Sequence, residues 1–577
     1  MMLGLLWMLA ANAGVILAAR AALRTVATGR PALDAALFLF LRLTFIMASV
    51  LAAGLAGGLR PHVLGLFWLA VLGALVARGA HRGLRVPWPD ASPALRTVAL
   101  LLIVRAVLHV WFFFPFSHDP LSYHLPKVAF WVRDGAIGAN LGPDPRGWFP
   151  AGFELLETWW CVFLHHDVLI EAAGLEFQLL GALAVAALAS WLALKPRTVL
   201  AVVLLWVLVP GLAVQAVGCM NDAPVAALFT LAVALIAERA HPMLVLAVSA
   251  VGVGVKPTYA YLAPGLVVLA AWLRSGERAP APSIRAAALL LAVGAGLGGY
   301  WFARNAVLHG NPVHPAGASG IRVGEHVLQQ TGPSLKSLAT NLDDLGMRIH
   351  DQRRGFDPLL EHGAGWGPAV FAIGIPCLAA AAGWQPRMKP LLAAYGTSLV
   401  SILALTLPDP FTMRFLLFVP ALPLLALGVV LERVRLLRWP SLAAGAACAF
   451  FTMLPSGLDA PVFARSALET GWRDRSARPV LFGHPPPGIP AYFDDLLFPG
   501  CLYALLGPDF RGEVALVKPS DPQDLLRQMR AAGATWLATS YVPEIPIPER
   551  VALDTLLRER ELIWWSHAVA ALRHGKP

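Results

Sequence analysis

The length of its uncharged apolar runs constrains this chain more than any other feature. Leu179–Leu194, Val199–Val214 and Ala286–Phe302 are nearly free of charge, and each is about as long as a helix that crosses a bilayer. Backbone groups in hydrocarbon find no water, so such runs must be helical. Composition agrees: 14% of residues are charged, against about 25% in an average soluble protein. Mean hydropathy is +0.64. A soluble enzyme, a nucleic-acid binder and a disordered scaffold are all excluded. The expected fold class is an all-α polytopic membrane protein.

About fourteen runs qualify as spans, near 2–19, 35–58, 62–78, 97–116, 168–193, 198–217, 223–238, 242–256, 258–273, 284–303, 366–384, 390–407, 412–432 and 439–455. The net charge of +10 is no nucleic-acid footprint, because Arg and Lys gather in short loops between these runs. The loops are Arg20/Arg24/Arg30, Arg78/Arg82/Arg85, Lys195/Arg197, Arg239, Arg274/Arg278, Arg387/Lys389 and Arg433/Arg435/Arg438. Threading the spans puts all of them on one side, which the positive-inside rule makes cytoplasmic, with both termini outside. Counting Gly152–Leu164 as a span would break that agreement. It is expected instead as an interfacial helix on the outer face, with Trp159 and Trp160 at headgroup level.

The chain then divides into N-terminal transmembrane helices (1–116), a first large external loop with interfacial helices (117–167) and a transmembrane core (168–303). A second large external loop (304–365), C-terminal transmembrane helices (366–455) and a small external α/β domain (456–577) follow. In the last, Pro479–Phe482, Glu513–Val517, Thr535–Thr539 and Leu562–Leu572 read as strands, with a helix around Glu549–Arg560. Another helix opens at Asp521–Pro522, an N-cap followed by proline at the first helical position. The scattered Cys161, Cys219, Cys377, Cys448 and Cys501 have no paired spacing and read as lipid-facing or core thiols. Met1–Leu17 reads as a retained first span, since it lacks a basic flank and a small-residue cleavage site.

Polar chemistry concentrates just outside the fourth span, in Phe116-Ser-His-Asp-Pro-Leu-Ser-Tyr-His-Leu-Pro-Lys127. Asp119 sits at the membrane boundary, where partial desolvation raises a carboxylate's basicity. A base there can take a proton from a hydroxyl; the alternative is that Asp119 caps the following helix and His124 packs against it. Asp222, after the sixth span, reads as an acceptor-orienting group, a cation ligand, the partner of Lys256, or the N-cap of the seventh span. Lys256, Arg304 and Arg414 lie at the same face and suit a lipid phosphate, or else snorkel to phospholipid headgroups. His118, His124, His309 and His314 show no recognised metal-ligand spacing, so no metal or cofactor is expected; the alternative is a divalent cation held with Asp119 and Asp222. Glu154 and Glu157 read as the wet edge of the interfacial helix.

The pattern Asp119-x3-Tyr123-His124-Leu125-Pro126-x4-Trp131-x3-Gly135 resembles the first external loop of GT-C-type integral membrane glycosyltransferases. Pro150-Ala-Gly-Phe-Glu154, Asn221-Asp222, Lys256-Pro257-Thr258, Gly310-Asn311-Pro312-Val313-His314-Pro315 and Arg414-Phe415 continue the similarity over about 116–435. It resembles bacterial members that share the fold of protein mannosyltransferases and lipid A aminoarabinose transferases. One departure is Pro120, where many relatives place Glu. The resemblance implies a GT-C-like fold in a bacterial inner membrane. It also implies inverting transfer of a hexosyl or pentosyl group from a polyprenyl-phosphate donor to a hydroxyl acceptor at the periplasmic side. Asp119 would be the base and Asp222 a catalytic partner, with Tyr123, His124, Lys256, Arg304, His314 and Arg414 on the substrates. The rival reading, a transporter or flippase of a lipid-linked or anionic substrate, predicts midplane charges and inverted repeats. The motif charges lie at span boundaries instead, and the two halves do not match.

Overall fold

The computed structural model describes residues 2–81, 93–112, 115, 119–138, 141–142, 144–274, 283–317, 320–323, 326–327, 338–342, 365–406, 412–453, 488–492, 501–517, 521–538, 562–566 and 569–572. His118, Asp343, Asp344, Asp351 and Asp357, the strand read at Pro479–Phe482 and the helix read at Glu549–Arg560 lie outside those residues.

Proline opens many of the helices, since its missing N–H falls where no intrahelical partner exists. The first four helices are α1 (Met2–Val26), α2 (Pro31–Leu55), α3 (Pro61–Ala77) and α4 (Pro93–Phe112). Two shorter ones, α5 (Leu125–Asp134) and α6 (Gly152–Val162), precede α7 (Ala172–Trp191), α8 (Pro196–Val207), α9 (Pro210–Gln215) and α10 (Asp222–Ala237). Then come α11 (Pro242–Val255), α12 (Ala263–Trp272), α13 (Ile284–His309), α14 (Ile375–Trp384), α15 (Met388–Leu405), α16 (Thr412–Phe415), α17 (Ala421–Arg433) and α18 (Arg438–Met453). Each apolar run read from the sequence overlaps one of these helices or a consecutive pair. Five helical segments, Met2–Val26, Pro31–Leu55, Asp167–Trp191, Ile284–His309 and Met388–Leu405, are long and apolar enough to cross a membrane.

The described residues of the basic loops gather at one end of the bundle. Arg30 pairs with Glu238 at 3.3 Å, and the Ser283 N–H donates to Thr25 O at 3.0 Å. Gln385 donates to Leu192 O at 2.9 Å, and Arg433 to Trp384 O at 3.1 Å. Small residues allow the closest helix contacts. On α13, a Cβ on Gly298 would lie 2.2 Å from Ala250 O, and on α11 one at Gly254 would lie 2.7 Å from the Gly298 Cα. Backbones this close gain the van der Waals contact that drives helix association in lipid.

Charge also enters the bundle itself. Arg42, in the middle of α2, pairs with Glu176 of α7 and donates to Asn12 of α1 at 2.8 Å. Unlike the motif charges, this pair lies within two apolar runs, where mutual pairing and a third polar group compensate its desolvation.

Two further corrections concern the other end. Helix α6 is not a surface helix, because it packs against α2, α5, α7 and α11. Trp159 is fully buried rather than at headgroup level, and Glu154 and Glu157 are 0% exposed rather than a wet edge.

After α18 come α19 (Cys501–Leu506), α20 (Pro522–Ala531) and strands β4 (Ile489–Tyr492), β5 (Ala515–Leu516), β6 (Ala534–Ala538), β7 (Leu562–Ser566) and β8 (Val569–Leu572). Three short strands precede them, β1 (Ala316–Gly317), β2 (Gly320–Val323) and β3 (His326–Val327). The C-terminal sheet has the order β5-β4-β6-β8-β7, parallel across β5, β4 and β6 and antiparallel thereafter. Leu562–Leu572, read as one strand, is therefore an antiparallel pair. Asp521 caps α20 as its sequence suggested, accepting from the Asp524 N–H at 2.8 Å. The described architecture is that of an α-helical polytopic membrane protein with a small C-terminal α/β unit.

Candidate active site

Asp119 stands at the head of a wide π-type turn, Pro120–His124, that leads into α5. It makes no cap hydrogen bond there. One of its oxygens accepts from Arg414 Nη1 at 2.6 Å, and the other from Arg146 Nη1 at 3.4 Å. Opposite charges on both oxygens favour the ionised carboxylate, which opposes what boundary desolvation does.

Arg414 also faces Asp222, with Nε 3.8 Å from Oδ2. Asp222 in turn pairs with Lys256 through its other oxygen. Asp222 opens α10 but does not cap it. The cap is Gln215, whose side-chain oxygen takes the Ala223 N–H at 2.9 Å and leaves the carboxylate for the cations. Lys256 is placed by the break after α11, where an extended residue precedes Pro257.

At the other end of the chain of charges, Arg146 grips Asp144 with Nε at 3.0–3.1 Å and Nη2 at 2.7 Å. Asp144 also opens the 3-10 turn Pro145–Trp148 by accepting from the Arg146 N–H at 2.8 Å. The result is an alternating series, Asp144, Arg146, Asp119, Arg414, Asp222, Lys256. Its three carboxylates are each 6% exposed or less, and three acids and three bases balance in charge. Tyr123 packs beneath Arg146, whose guanidinium carbon is 4.6 Å from the ring centre. Burial and the Asp119 carboxylate push its phenol well above the ordinary range.

A second, sealed cluster lies behind Tyr123. Glu154 Oε1 meets Lys127 Nζ and His124 Nδ1, each at 2.7 Å. Burial pushes the Glu154 carboxyl up, but Lys127 and His124 outweigh it and bring it down to about 2. An ionised carboxylate only accepts, so His124 carries its proton on Nδ1. Burial also holds the His124 imidazole below its usual range, against the pull of Glu154. His124 is thus turned away from the charged series and committed to Glu154. One turn along α6, burial first and the Glu154 charge second push Glu157 well above the carboxylate range, and the Cys219 thiol is its polar neighbour.

Arg304 and His314 fall on the far side of the 3-10 turn. Arg304 donates to Trp148 O at 2.7 Å and lies 4.9 Å from the Trp148 ring centre. His314 stacks on His309 with ring centroids 3.8 Å apart, and Trp148 meets His309 edge-on at 4.4 Å. Asn305 ties the group together by donating to Trp148 O and His314 O at 3.0 and 2.9 Å. Among the described residues, no three His, Cys, Asp or Glu side chains converge as a metal-ligand set.

The structure therefore brings together Asp119, Tyr123, Asp222, Lys256 and Arg414. It sets His124 in a sealed neighbouring cluster, and Arg304 and His314 in an aromatic one. Asp144, Arg146 and Lys127 complete the arrangement without having been assigned roles from sequence, and Glu154, read as a wet edge, is the buried counter-ion of Lys127 and His124. Asp144-Pro145 carries a readable helix-start signal, but nothing local joins Arg146 to Asp119.

Over this architecture the chain aligns with ArnT from Cupriavidus metallidurans in its apo state, covering 83% of this chain and 98% of that one. Identity is 15% and the TM-score 0.51. The fold is that of ArnT. The same protein bound to undecaprenyl phosphate aligns over 84% and 98% of the two chains, with 14% identity and a TM-score of 0.49. No family model and no curated protein matches the sequence. The GT-C-like fold implied by the motifs is thereby confirmed.

Proposed function

We propose that this protein is a membrane glycosyltransferase that moves a sugar from a polyprenyl-phosphate donor to an acceptor hydroxyl, with inversion. The observation that carries the reading is the alternating series from Asp144 to Lys256, gathered at the bundle end opposite the basic loops. That end would face the periplasm of a bacterial inner membrane, where positive-inside topology puts it. The fold shared with ArnT, a protein crystallised with undecaprenyl phosphate, supports a donor of the same class.

Each residue has a task in this scheme. The acceptor hydroxyl gives its proton to Asp119 as its oxygen attacks the anomeric carbon. The bond from that carbon to the phosphate oxygen breaks on the opposite face, and the phosphate leaves with the electron pair. Arg414 and Lys256 stabilise the charge that develops on it. A phosphate arriving between them competes with Asp119 and Asp222 for the same donors. Drawing Arg414 away from Asp119 would make the carboxylate more basic when the donor is in place. Arg146 holds Asp119 in register, Tyr123 supports Arg146, and Arg304 with Trp148 and His314 is assigned to the substrate-facing wall. Fixed cations do the work a divalent ion would otherwise do, so no cofactor is invoked.

The Arg42–Glu176 pair is what a transporter of lipid-linked substrate would also offer, as an ionisable pair within the helices. Lipid mass spectrometry separates the readings, using membranes with wild-type protein, no protein, or Asp119→Asn. A transferase leaves the polyprenyl-phospho-sugar equally raised in the last two, and its mass names the sugar class. Three matching profiles at equal expression would remove the transferase reading and bring the transporter forward.

A further inference from the structure

We propose that residues 501–512 of the C-terminal unit are a positioning element of the active site, with Tyr503 as its principal positioning residue. The consequence for catalysis rests on the transferase reading above, whereas the contacts themselves do not.

The segment folds tightly on itself after α19: the Phe510 N–H donates to Gly507 O at 3.2 Å and the Gly512 N–H to Leu506 O at 2.8 Å. Its apolar side chains are not packed only within their own unit. Leu502, Leu505, Leu506 and Phe510 are each 1% exposed and belong to one continuous core with Leu121, Leu125 and Val128. Helix α19 lies directly on the turn Pro120–His124 and on α5. That turn begins next to Asp119.

Two more contacts reach the rest of the same wall. Gly142 has a left-handed φ of +82°, and a Cβ there would stand 3.3 Å from the Leu502 methyl. The residue is two positions before Asp144, which holds Arg146. Tyr503, 4% exposed, donates its hydroxyl to Asp167 Oδ2 at 3.1 Å, and the Asp167 N–H donates to Pro508 O at 2.9 Å. Asp167 opens the turn that enters α7. One short segment therefore touches 119–134, Gly142 and Asp167 at once, and Asp119, Asp144 and Arg146 lie in or beside these stretches.

Such backing has a physical reason. The connection from α4 to α7 is long and contains no sheet among its described residues; Glu154 ties α6 to α5, whereas the turn that carries Arg146 meets Asp119 through a side-chain contact of 3.4 Å. A reacting group displaced by about 1 Å can lose about 100-fold in rate. A buried phenol O–H bound to a buried carboxylate supplies a fixed point, since an unpaired partner on either side would carry a desolvation cost.

The test compares full-length wild-type protein with Tyr503→Phe and Leu502→Ala in lipid nanodiscs. Hydrogen exchange is read by mass spectrometry, and kcat and donor KM are measured per folded molecule. Tyr503→Phe is expected to speed exchange in peptides covering 119–134 and 144–148, and to lower kcat about 10-fold with donor KM within about twofold. Leu502→Ala should act in the same direction. Faster exchange confined to 501–538, or a disturbed loop with kcat unchanged, overturns the proposal. If the loop loosens and wild-type protein transfers no sugar, the transferase reading falls while the anchoring of the loop stands.

Discussion

Asp119 meets a guanidinium at each oxygen, and Asp119→Asn keeps the size of the side chain while removing the charge and the base. Transfer should fall by about 100- to 10,000-fold, the usual contribution of a positioned base, measured as product formed from a polyprenyl-phospho-sugar by solubilised protein. Arg414→Lys keeps a charge but cannot span Asp119 and Asp222 with separate donors. It should therefore cost activity beyond what a change in charge alone explains. Glu154 and Glu157 sit one helical turn apart and should respond oppositely. The folded Glu154 carboxyl lies near about 2, below its unfolded value near 4.3, so its stabilisation is present above about pH 4.3 and is lost as pH falls through about 2. Glu154→Gln should flatten the loss of melting temperature over that acid range. Glu154→Ala strands Lys127 and His124 and should cost about 3–5 kcal/mol. Glu157 is raised, so its contribution is complete below about pH 4.3 and is lost as pH rises through its folded value. Glu157→Gln should leave the melting temperature at pH about 7 equal or higher, followed by intrinsic fluorescence.

At the scale of elements, α11 ends next to Lys256 and α13 carries Arg304 in its last turns, so the packing of the two helices sets how far apart these cations stand. Gly298 lets the two backbones touch, and a Cβ there would lie 2.2 Å from Ala250 O. Gly298→Ala should part the helices and lower both melting temperature and transfer, whereas the same change at Gly296, which has open space around it, should do neither. Comparing the two by thermal unfolding and activity in one lipid composition separates close approach from loss of helix flexibility. Helix α6 shows why a helix's own pattern is a poor guide to its surroundings. Its paired tryptophans suggest a headgroup position, yet α5 and α2 cover it and make Glu154 a buried counter-ion. The spacing of Glu154 and Glu157 is compatible with either environment.

For the whole molecule, charge separates into a basic end and an end where acids and bases alternate. If fixed cations serve the leaving phosphate, chelators should leave the rate unchanged. A rate that falls with EDTA and returns with one divalent ion would reassign that task. The sequence by itself determined the helical class, the apolar runs and the common side of the basic loops. Those depend on the solvent a segment needs, and hydropathy and charge record that need locally. It also marked Asp119, Asp222, Lys256 and Arg414 as charges at span ends. Only the tertiary structure decided that Arg414 joins Asp119, 295 residues away, to Asp222, and that Arg146 closes the series. It likewise decided that Gln215 rather than Asp222 caps α10, that Arg42 finds Glu176 inside the bundle, and that Tyr503 backs the charged loop. A local pattern says which medium a residue can tolerate. The partner that makes a buried charge tolerable is fixed by packing, and packing is a property of the assembled chain.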